Sequence, residues 1–481
     1  MATTKLNFGD WMPDQPSISG ALVDAKNVVS QAIGYGPLPT AATFSAVASE
    51  NLTTLVAGKT PANATKLFAA GSTKIFDVSG VGALTNVSKT GGYTPNASND
   101  RFRFTQFGNV IIGTNNSDPM QAYTLGTSTA FADLAATAPK CKYLTVVRDF
   151  VVTAFTTESS VVYPARVRWS GINDETTWGS DQVTQADYQD IPDGSQIVGI
   201  RGGEFGLVLM EKGISRMSYV GTPFIFQFDN ISRGKGCIAA GSIAQIQGIT
   251  FFLSDDGFYL CDGQNVTPIG AEKVDRWFFN NADESAFDTM SAAVDPVRKL
   301  VIWNFKTTFA ERKLIIYNFK TQKWTYGDAG TDYISDASTS ATTLEGLDSI
   351  SASIDALPVS LDSILYMGGK YFLGGTYGAY VMTYNGANAT GQIITGDLNA
   401  GGRSVVTLAR PLVDGGSATV SVASRTLLSE QTSFGTAGTA DADNRISLRS
   451  NGNFHQFKVT PTGTWKTAVG LDVELQGQGT R

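Results

Sequence analysis

Residues Ile243–Asn265 read IAQIQGITFFLSDDGFYLCDGQN, and this stretch predicts the fold. Two apolar runs flank the pair Asp256-Gly257, and pairs of this kind supply the backbone angles that a tight hairpin turn requires. The run Phe251–Leu253 is apolar at every position, so both faces of its strand are expected to be buried. The stretch therefore predicts short antiparallel strands in a sheet that is packed between two neighbouring sheets.

The same pattern recurs along the chain. An apolar run, a polar or Gly-rich turn and a second apolar run occupy Lys66–Val78, Phe104–Tyr123, Tyr143–Trp169, Ile197–Tyr219, Ile243–Asn265, Ser291–Trp324 and Ile364–Tyr384. The spacing is roughly 40–50 residues, which is the period of four-stranded propeller blades. We predict an all-β chain built around a β-propeller of about six or seven blades. A β-sandwich or a solenoid made from the same hairpins is the alternative.

Segments outside the repeats divide the chain further. Residues 1–60 are rich in Gly and Pro and are predicted to form an extended N-terminal arm that lends a strand to close the ring. Residues 61–390 are the predicted propeller, with an inserted loop at about 327–362 that is rich in Ser, Thr, Ala and Asp. Residues 391–481 are predicted to form a small C-terminal β unit or a ring-closing elaboration.

The composition agrees with this fold class. Of the 481 residues, 51 are Gly and only 16% are charged, a profile that suits many tight turns better than long helices. The best helical patterns are short and lie at Val23–Val29 and Glu272–Phe279.

The net charge of −7 limits the possible partners. Tight binding of duplex DNA needs a basic face that neutralises phosphates, and the sequence has no cluster of Lys and Arg. A mildly acidic wall would instead repel phosphates and let DNA slide past without sticking. The charge therefore argues against a DNA reader but not against a DNA-conducting tube.

Three features indicate the compartment. The segment Met1–Trp11 lacks the charged and apolar regions of a signal peptide, and the sequence has no apolar run of about 18 residues that could span a membrane. The cysteines Cys141, Cys237 and Cys261 are odd in number and sparse, so we expect buried thiols rather than a disulfide framework. We predict a protein made in reducing cytoplasm, with no membrane anchor.

Candidates for catalysis or metal binding are few. His455 is the one histidine of the sequence, and we predict a surface or structural residue rather than part of a relay or a metal site. Asp255-Asp256 is explained by turn chemistry. The Gly-rich segments Arg201–Gly206 and Arg233–Gly236 lack phosphate-loop spacing. We therefore predict that the protein is not an enzyme and has no catalytic, cofactor-binding or metal-binding residues; a hydrolase on the same fold is the disfavoured alternative.

Several segments together resemble a known family. They are FGDWMPDQPS at Phe8–Ser17, VRWSGINDETTW at Val167–Trp178, GKGCIAA at Gly234–Ala240 and IGAEKVDRWFF at Ile269–Phe279. Their order resembles the propeller-bearing tail nozzle or hub (head–tail) proteins of short-tailed bacteriophages, over most of residues 1–326. The resemblance implies a structural subunit of the virion tail, assembled in the host cytoplasm as part of a ring around the DNA-ejection channel.

The resemblance also implies partners. These are other copies of the chain in a hexameric ring, adjacent adaptor or portal-side tail proteins, tail fibres or spikes, and passing genomic DNA without tight binding. Arg166, Arg168 and Trp169 are candidate interface residues, and the alternative for them is a strand packed in the core. A host-surface glycan-binding propeller is the alternative function, and aromatic side chains repeated at one blade edge would indicate it.

Overall fold

Antiparallel strands and tight turns dominate the protein, which confirms the all-β prediction. The computed structural model describes residues 2–60, 64–79, 83–95, 100–192, 195–338, 353–356 and 370–478.

Five strands precede the first repeat. They are β1 (Ala2–Asn7), β2 (Asp24–Lys26), β3 (Val28–Ser30), β4 (Tyr35–Pro37) and β5 (Ala42–Thr43). The helix predicted at Val23–Val29 is therefore wrong. Ala25 is fully buried in β2, which pairs with distant parts of the chain, and Val28 is fully buried in β3, which pairs with β4.

Four repeats follow, each a four-stranded antiparallel sheet. Blade 1 contains β6 (Thr54–Lys59), β7 (Thr65–Ala70), β8 (Ile75–Ser79) and β9 (Ala83–Asn86). Blade 2 contains β10 (Arg103–Phe107), β11 (Val110–Thr114), β12 (Gln121–Thr124) and β13 (Ala132–Asp133). Blade 3 contains β14 (Lys140–Val147), β15 (Phe150–Glu158), β16 (Val161–Trp169) and β17 (Asp187–Asp190). Blade 4 contains β18 (Ile197–Arg201), β19 (Gly206–Met210), β20 (Gly213–Gly221) and β21 (Ile225–Arg233).

Three more blades complete the ring. Blade 5 contains β22 (Ala244–Ile246), β23 (Ile249–Ser254), β24 (Gly257–Cys261) and β25 (Val266–Pro268), and the helix α1 (Asp275–Asn281) follows it. Blade 6 contains β26 (Ser291–Asp295), β27 (Leu300–Lys306), β28 (Arg312–Asn318) and β29 (Lys323–Asp328). Blade 7 contains β30 (Tyr333–Ser338), β31 (Tyr371–Tyr377), β32 (Tyr380–Thr383) and, as its outer strand, β5.

The protein is thus a β-propeller, as predicted. In the described part of the chain, six blades are separate four-stranded sheets, and blade 6 is the four-stranded end of a larger sheet. Thr43 pairs with Met382, so the N-terminal segment supplies the strand that closes the ring, and residues 391–481 do not.

Two predicted boundaries need correction. The first blade begins at Thr54 rather than at 61. The loop predicted at about 327–362 begins later, because β29 and β30 occupy Lys323–Asp328 and Tyr333–Ser338. Residues 339–352 and 357–362 of that prediction lie outside the described residues.

An apolar cluster fills the space between each pair of neighbouring blades. Phe252 of blade 5 packs in a cluster with blade 4, whereas Phe251 packs in a cluster with Trp303 of blade 6. The prediction that this strand is buried on both faces is therefore confirmed.

The hairpin order defines two faces of the propeller. The first and third strands of each blade begin at one side of the ring, called face II here, and end at the other, called face I. Turns between first and second strands, and between third and fourth, therefore lie on face I. Turns between second and third strands, and the connections between blades, lie on face II.

The C-terminal strands extend the sheet of blade 6. They are β33 (Gln392–Ile394), β34 (Leu398–Asp414), β35 (Ser417–Arg425), β36 (Gly438–Thr439), β37 (Ile446–Thr462) and β38 (Thr467–Gly477). Strand β2 lies between β29 and β33, with Lys26 opposite both Tyr326 and Gln392. Strand β1 pairs along β38. The C-terminal unit and the N-terminal segment are therefore parts of one fourteen-stranded sheet with blade 6.

Candidate functional site

The three predicted interface residues lie on β16, the third strand of blade 3, but they do not form one surface patch. Trp169 is 2% exposed, and its ring centroid lies 5.1 Å from that of Phe226 of blade 4. Its indole nitrogen donates to the Gln185 carbonyl. Trp169 is therefore a core residue, as in the packed-strand alternative, and does not contribute to a contact surface.

Arg166 and Arg168 do lie together. Both form ion pairs with Glu158, at 3.5 and 2.5 Å. Arg166 also binds Asp190 through two hydrogen bonds of 2.7 and 2.9 Å, which raise the pKa of the arginine and lower that of the carboxyl. Its guanidinium carbon lies 3.7 Å from the ring centroid of Tyr163. These contacts hold Arg166 within its own blade, and an interface role for the two arginines stays a prediction.

His455 is a structural residue and not a surface one. It is fully buried on β37, where its Nδ1 and Nε2 lie 2.6 Å and 2.8 Å from the hydroxyls of Ser424 and Ser404. Burial lowers the pKa of the imidazole, so the ring is neutral at pH 7. The arrangement links three strands of the C-terminal unit through one side chain.

A cavity with a charged lining lies on the axis of the propeller. It has a volume of 610 Å³ and is enclosed by the first strand of every blade. One lining residue from each blade, in order, is Thr54, Arg103, Tyr143, Ile200, Ala244, Ala293 and Asp336. We call this cavity the central channel.

Three arginines and one carboxylate are the charged groups among the described residues that line the channel: Arg101, Arg103, Arg201 and Asp336. Arg101 donates to the Met290 carbonyl, and its guanidinium carbon lies 4.8 Å from the ring centroid of Tyr333. Burial, and then the charge of Arg103, lower the pKa of Arg101 to about 10. Arg101 is therefore still a cation at neutral pH.

Arg103 is held beside the channel by blade 3. Its guanidinium carbon lies 4.7 Å from the ring centroid of Tyr143, and its Nη1 donates to the Lys142 carbonyl at 3.3 Å. Asp100 lies 3.6 Å from the same nitrogen and 3.4 Å from the Lys142 ammonium. One carboxylate is therefore shared by two cations.

Arg201 and Asp336 belong to blades 4 and 7. Arg201 donates to the Ile243 carbonyl at 2.6 Å, and burial lowers its pKa. The Asp336 side chain is exposed within the channel but lies deep in the protein, and this burial raises the pKa of its carboxyl, although the charge of Arg201 opposes the shift. The Tyr371 hydroxyl, which also faces this cavity, is buried with no hydrogen-bond partner among the described residues.

The described residues contain neither a cluster of metal ligands nor a membrane-spanning helix. No group of three or more His, Cys, Asp and Glu side chains there is arranged to hold a metal ion. None of the helices in those residues has the length and apolar character to cross a membrane.

Comparisons with known proteins give a likeness of fold. No family model and no curated protein matches the chain. The WD40 domain of Neurospora crassa Pan2 is similar with a TM-score of 0.39 at 7% identity, covering 72% of this chain and 96% of that one. The computationally designed Ika8 protein has a TM-score of 0.38 at 10% identity, with coverage of 72% and 99%. The WD40 domain of Toxoplasma gondii coronin has a TM-score of 0.39 at 8% identity, with coverage of 75% and 87%.

Sequence reasoning missed the channel arginines. Arg101 and Arg103 flank the start of one repeat and Arg201 ends the first strand of another, about 100 residues away. The position of Arg103 and Arg201 at the ends of first strands was the available signal, because the first strands of the blades supply most of the channel lining.

Proposed function

We propose that this protein is a structural subunit of the tail of a short-tailed bacteriophage. It forms part of the nozzle or hub ring around the DNA-ejection channel and docks neighbouring tail proteins. The observation that supports this most is the presence of exposed apolar side chains on both faces of the propeller. The resemblance of residues 1–326 to tail nozzle and hub proteins supplies the biological setting.

On face I, the exposed apolar side chains belong to consecutive blades. Val183 of blade 3 is 85% exposed, Phe224 of blade 4 is 78% exposed and Val297 of blade 6 is 74% exposed. Ile249, in the blade between the last two, is also exposed. Single exposed apolar residues are ordinary, but a series along one face favours contact with another protein.

Face II carries a second series. Phe309, in the turn between the second and third strands of blade 6, is 83% exposed. Tyr377 and Tyr380 in blade 7 and Val161 and Val162 in blade 3 are exposed at equivalent turns. A closed ring of identical subunits needs two different surfaces on each subunit that bind each other, with a rotation between copies that closes the ring. The two apolar faces are the proposed pair of surfaces.

The dimensions of the central channel determine where DNA would pass. Inner strands such as β10 and β18 are five residues long. At about 3.3 Å per residue the channel is about 17 Å long, so its volume of 610 Å³ gives a width of about 7 Å. The major groove of B-DNA alone is about 12 Å wide. The proposed DNA path is therefore enclosed by several copies of the protein and does not run through any single propeller.

The glycan-binding alternative has weaker support. Among the described residues, the exposed aromatic side chains are Tyr188, Phe224, Phe309, Tyr377 and Tyr380. They lie on four blades and on both faces, and in the described residues only Phe309 of blade 6 and Tyr377 and Tyr380 of blade 7 share the same turn of neighbouring blades. Aromatic platforms for a sugar would be expected to recur at the same position of successive blades.

The ring proposal predicts the behaviour of two charge substitutions. We expect the purified wild-type chain to form rings, and Phe224→Glu and Phe309→Glu each to be monomeric, because each places a carboxylate in one apolar contact. An equimolar mixture of the two variants should form dimers and no rings, since only one contact, between the two intact faces, is possible. Light scattering after size exclusion and electron microscopy would measure these states.

Leu427→Glu is the matched control, because Leu427 is 59% exposed between β35 and β36 in the C-terminal unit and belongs to no blade. It should assemble like the wild type. A wild-type chain that stays monomeric at tens of micromolar and binds glycans on an array would contradict the ring proposal and favour the alternative.

A further inference from the structure

The central channel has an unbalanced charge. Its charged lining, within the described residues, consists of the guanidinium groups of Arg101, Arg103 and Arg201 and the carboxylate of Asp336. The whole chain has the opposite sign, with a net charge of −7. A positively charged channel does not follow from the composition of an acidic protein. The position of these arginines therefore has to be explained by their local contacts.

Backbone carbonyls hold all three guanidiniums, and among the described residues only that of Arg103 also forms an ion pair, with Asp100 at 3.6 Å. The carbonyl acceptors belong to Met290, Lys142 and Ile243. A carbonyl group orients a cation but carries no full charge, and a guanidinium has five N–H donors. Each of these carbonyls takes up one of those donors.

Aromatic rings fix two of the arginines further. The guanidinium carbons of Arg101 and Arg103 lie 4.8 and 4.7 Å from the ring centroids of Tyr333 and Tyr143. Side chains that are already ordered lose little entropy when a ligand binds. The guanidinium groups of Arg101 and Arg103 are therefore pre-organised to bind a ligand through their N–H groups.

The arginines also repel one another. The charge of Arg103 lowers the pKa values of both Arg101 and Arg201, after the larger effect of burial. Asp336 raises the pKa of Arg201 by more than Arg103 lowers it, and Tyr333 and Asp100 oppose the effect of Arg103 on the pKa of Arg101. A bound anion would relieve the repulsion, because it would be attracted to all three cations in a partly desolvated space.

We propose that the central channel is a binding site for a small multivalent oxyanion, of the phosphate or polycarboxylate class. Guanidinium forks match the geometry of both groups. The volume of 610 Å³ lies in the range of small-molecule sites, about 300–1,000 Å³. The hydroxyls of Thr105, Thr145 and Ser335 are further polar groups on the wall. This site does not depend on the proposed tail function, since every lining residue belongs to one copy of the chain.

Calorimetric titration of the full chain with sodium pyrophosphate, sodium phosphate and sodium citrate, at constant ionic strength in chloride buffer, tests the site. We expect saturable one-to-one binding of pyrophosphate or citrate, tighter than that of phosphate. Arg201→Gln should weaken it at least tenfold. Asp336→Asn should tighten it several-fold, because it removes the one carboxylate of the described lining. Binding of pyrophosphate but not citrate would assign the phosphate class, and binding of both would assign multivalent oxyanions in general.

The Asp336→Asn variant separates ligand binding from a merely structural role, since loss of folding cannot increase affinity. Arg449→Gln is the control, because Arg449 is exposed on β37 in the C-terminal unit. It should bind like the wild type. The proposal is overturned if wild-type protein gives no saturable heat with any of the three anions up to millimolar concentration. It is also overturned if Asp336→Asn binds more weakly than wild type, or if Arg449→Gln loses as much affinity as Arg201→Gln.

Discussion

Replacing Asp275 by Asn is expected to stabilise the protein at neutral pH and to remove the loss of stability that this carboxyl causes between pH 4 and 7. Burial, the largest cause, raises the pKa of the Asp275 carboxyl to about 7, from 3.8 in an unfolded chain. Between these values the folded state keeps a proton that the unfolded state has lost, so stability falls as the pH rises. Three units at about 1.4 kcal/mol each give a loss of at most about 4 kcal/mol, complete above pH 7.

The position of Asp275 explains the shift. It is the first residue of α1 and is 7% exposed. The main-chain N–H of Phe258 donates to it at 3.1 Å, which lowers its pKa but does not outweigh burial. Gly257 and Gly270 lie so close that a Cβ at either position would overlap the carboxylate. The negative charges of Asp14 and Asp256 raise the pKa further.

Urea unfolding at pH 5, 7 and 8 would measure this effect. Asp275→Asn should lose less stability than the wild type between pH 5 and 7 and should exceed the wild type at pH 8. Glu204→Gln is the control, because the Glu204 side chain is 82% exposed and its replacement should change stability by less than about 0.5 kcal/mol. Equal pH slopes for Asp275→Asn and the wild type would contradict the assignment.

Asp397→Ala is expected to cost about 3–5 kcal/mol of unfolding free energy, because it leaves the Arg425 guanidinium buried without its charged partner. Asp397 and Arg425 form an ion pair in which their side chains are 1% and 12% exposed. Ser17 donates to Asp397 Oδ2 at 2.5 Å, so the pair also ties the N-terminal segment to the C-terminal unit. Asp397 Oδ1 and Arg425 Nε are buried without partners among the described residues.

A double variant distinguishes an ion pair from simple packing. Asp397→Leu with Arg425→Met should be more stable than Asp397→Ala alone, because it removes both buried charges together. Asp443→Ala is the matched control in the same unit. Its ion pair with Arg445 spans 3.7 Å, with side chains 71% and 48% exposed, and should contribute no more than about 1 kcal/mol. If denaturation curves give similar losses of unfolding free energy for Asp397→Ala and Asp443→Ala, the stabilising role of the buried Asp397–Arg425 ion pair is ruled out.

The blades could be predicted from the sequence because their pairing is local. Each predicted repeat contains strands of one blade, and a turn such as Asp256-Gly257 lies between the strands that flank it. The burial of β23 on both of its faces was predicted from the continuous apolar run at Phe251–Leu253. The helix α1 was also predicted, with its start three residues too early.

The larger sheet could not be predicted, because its partners are far apart in the chain. Lys26 pairs with Tyr326 and Gln392, and no local pattern in Val23–Val29 distinguishes a strand at such a junction from a short helix. The channel arginines were missed for the same reason, since only the closed ring brings different repeats to one axis. Trp169 illustrates the opposite error, in which an aromatic residue typical of interfaces belongs to the core.

Strand β2 has a consequence for how the protein is made. Its partners lie about 300 and about 370 residues later in the chain, at Tyr326 and Gln392. At about 5–20 residues per second, a ribosome needs roughly 20–70 s to reach the second partner after finishing β2. Until then the N-terminal strands have open edges that can pair with other nascent chains. Such long-range pairing slows folding, so we expect the yield of native protein to depend on chaperones that shield this segment during synthesis.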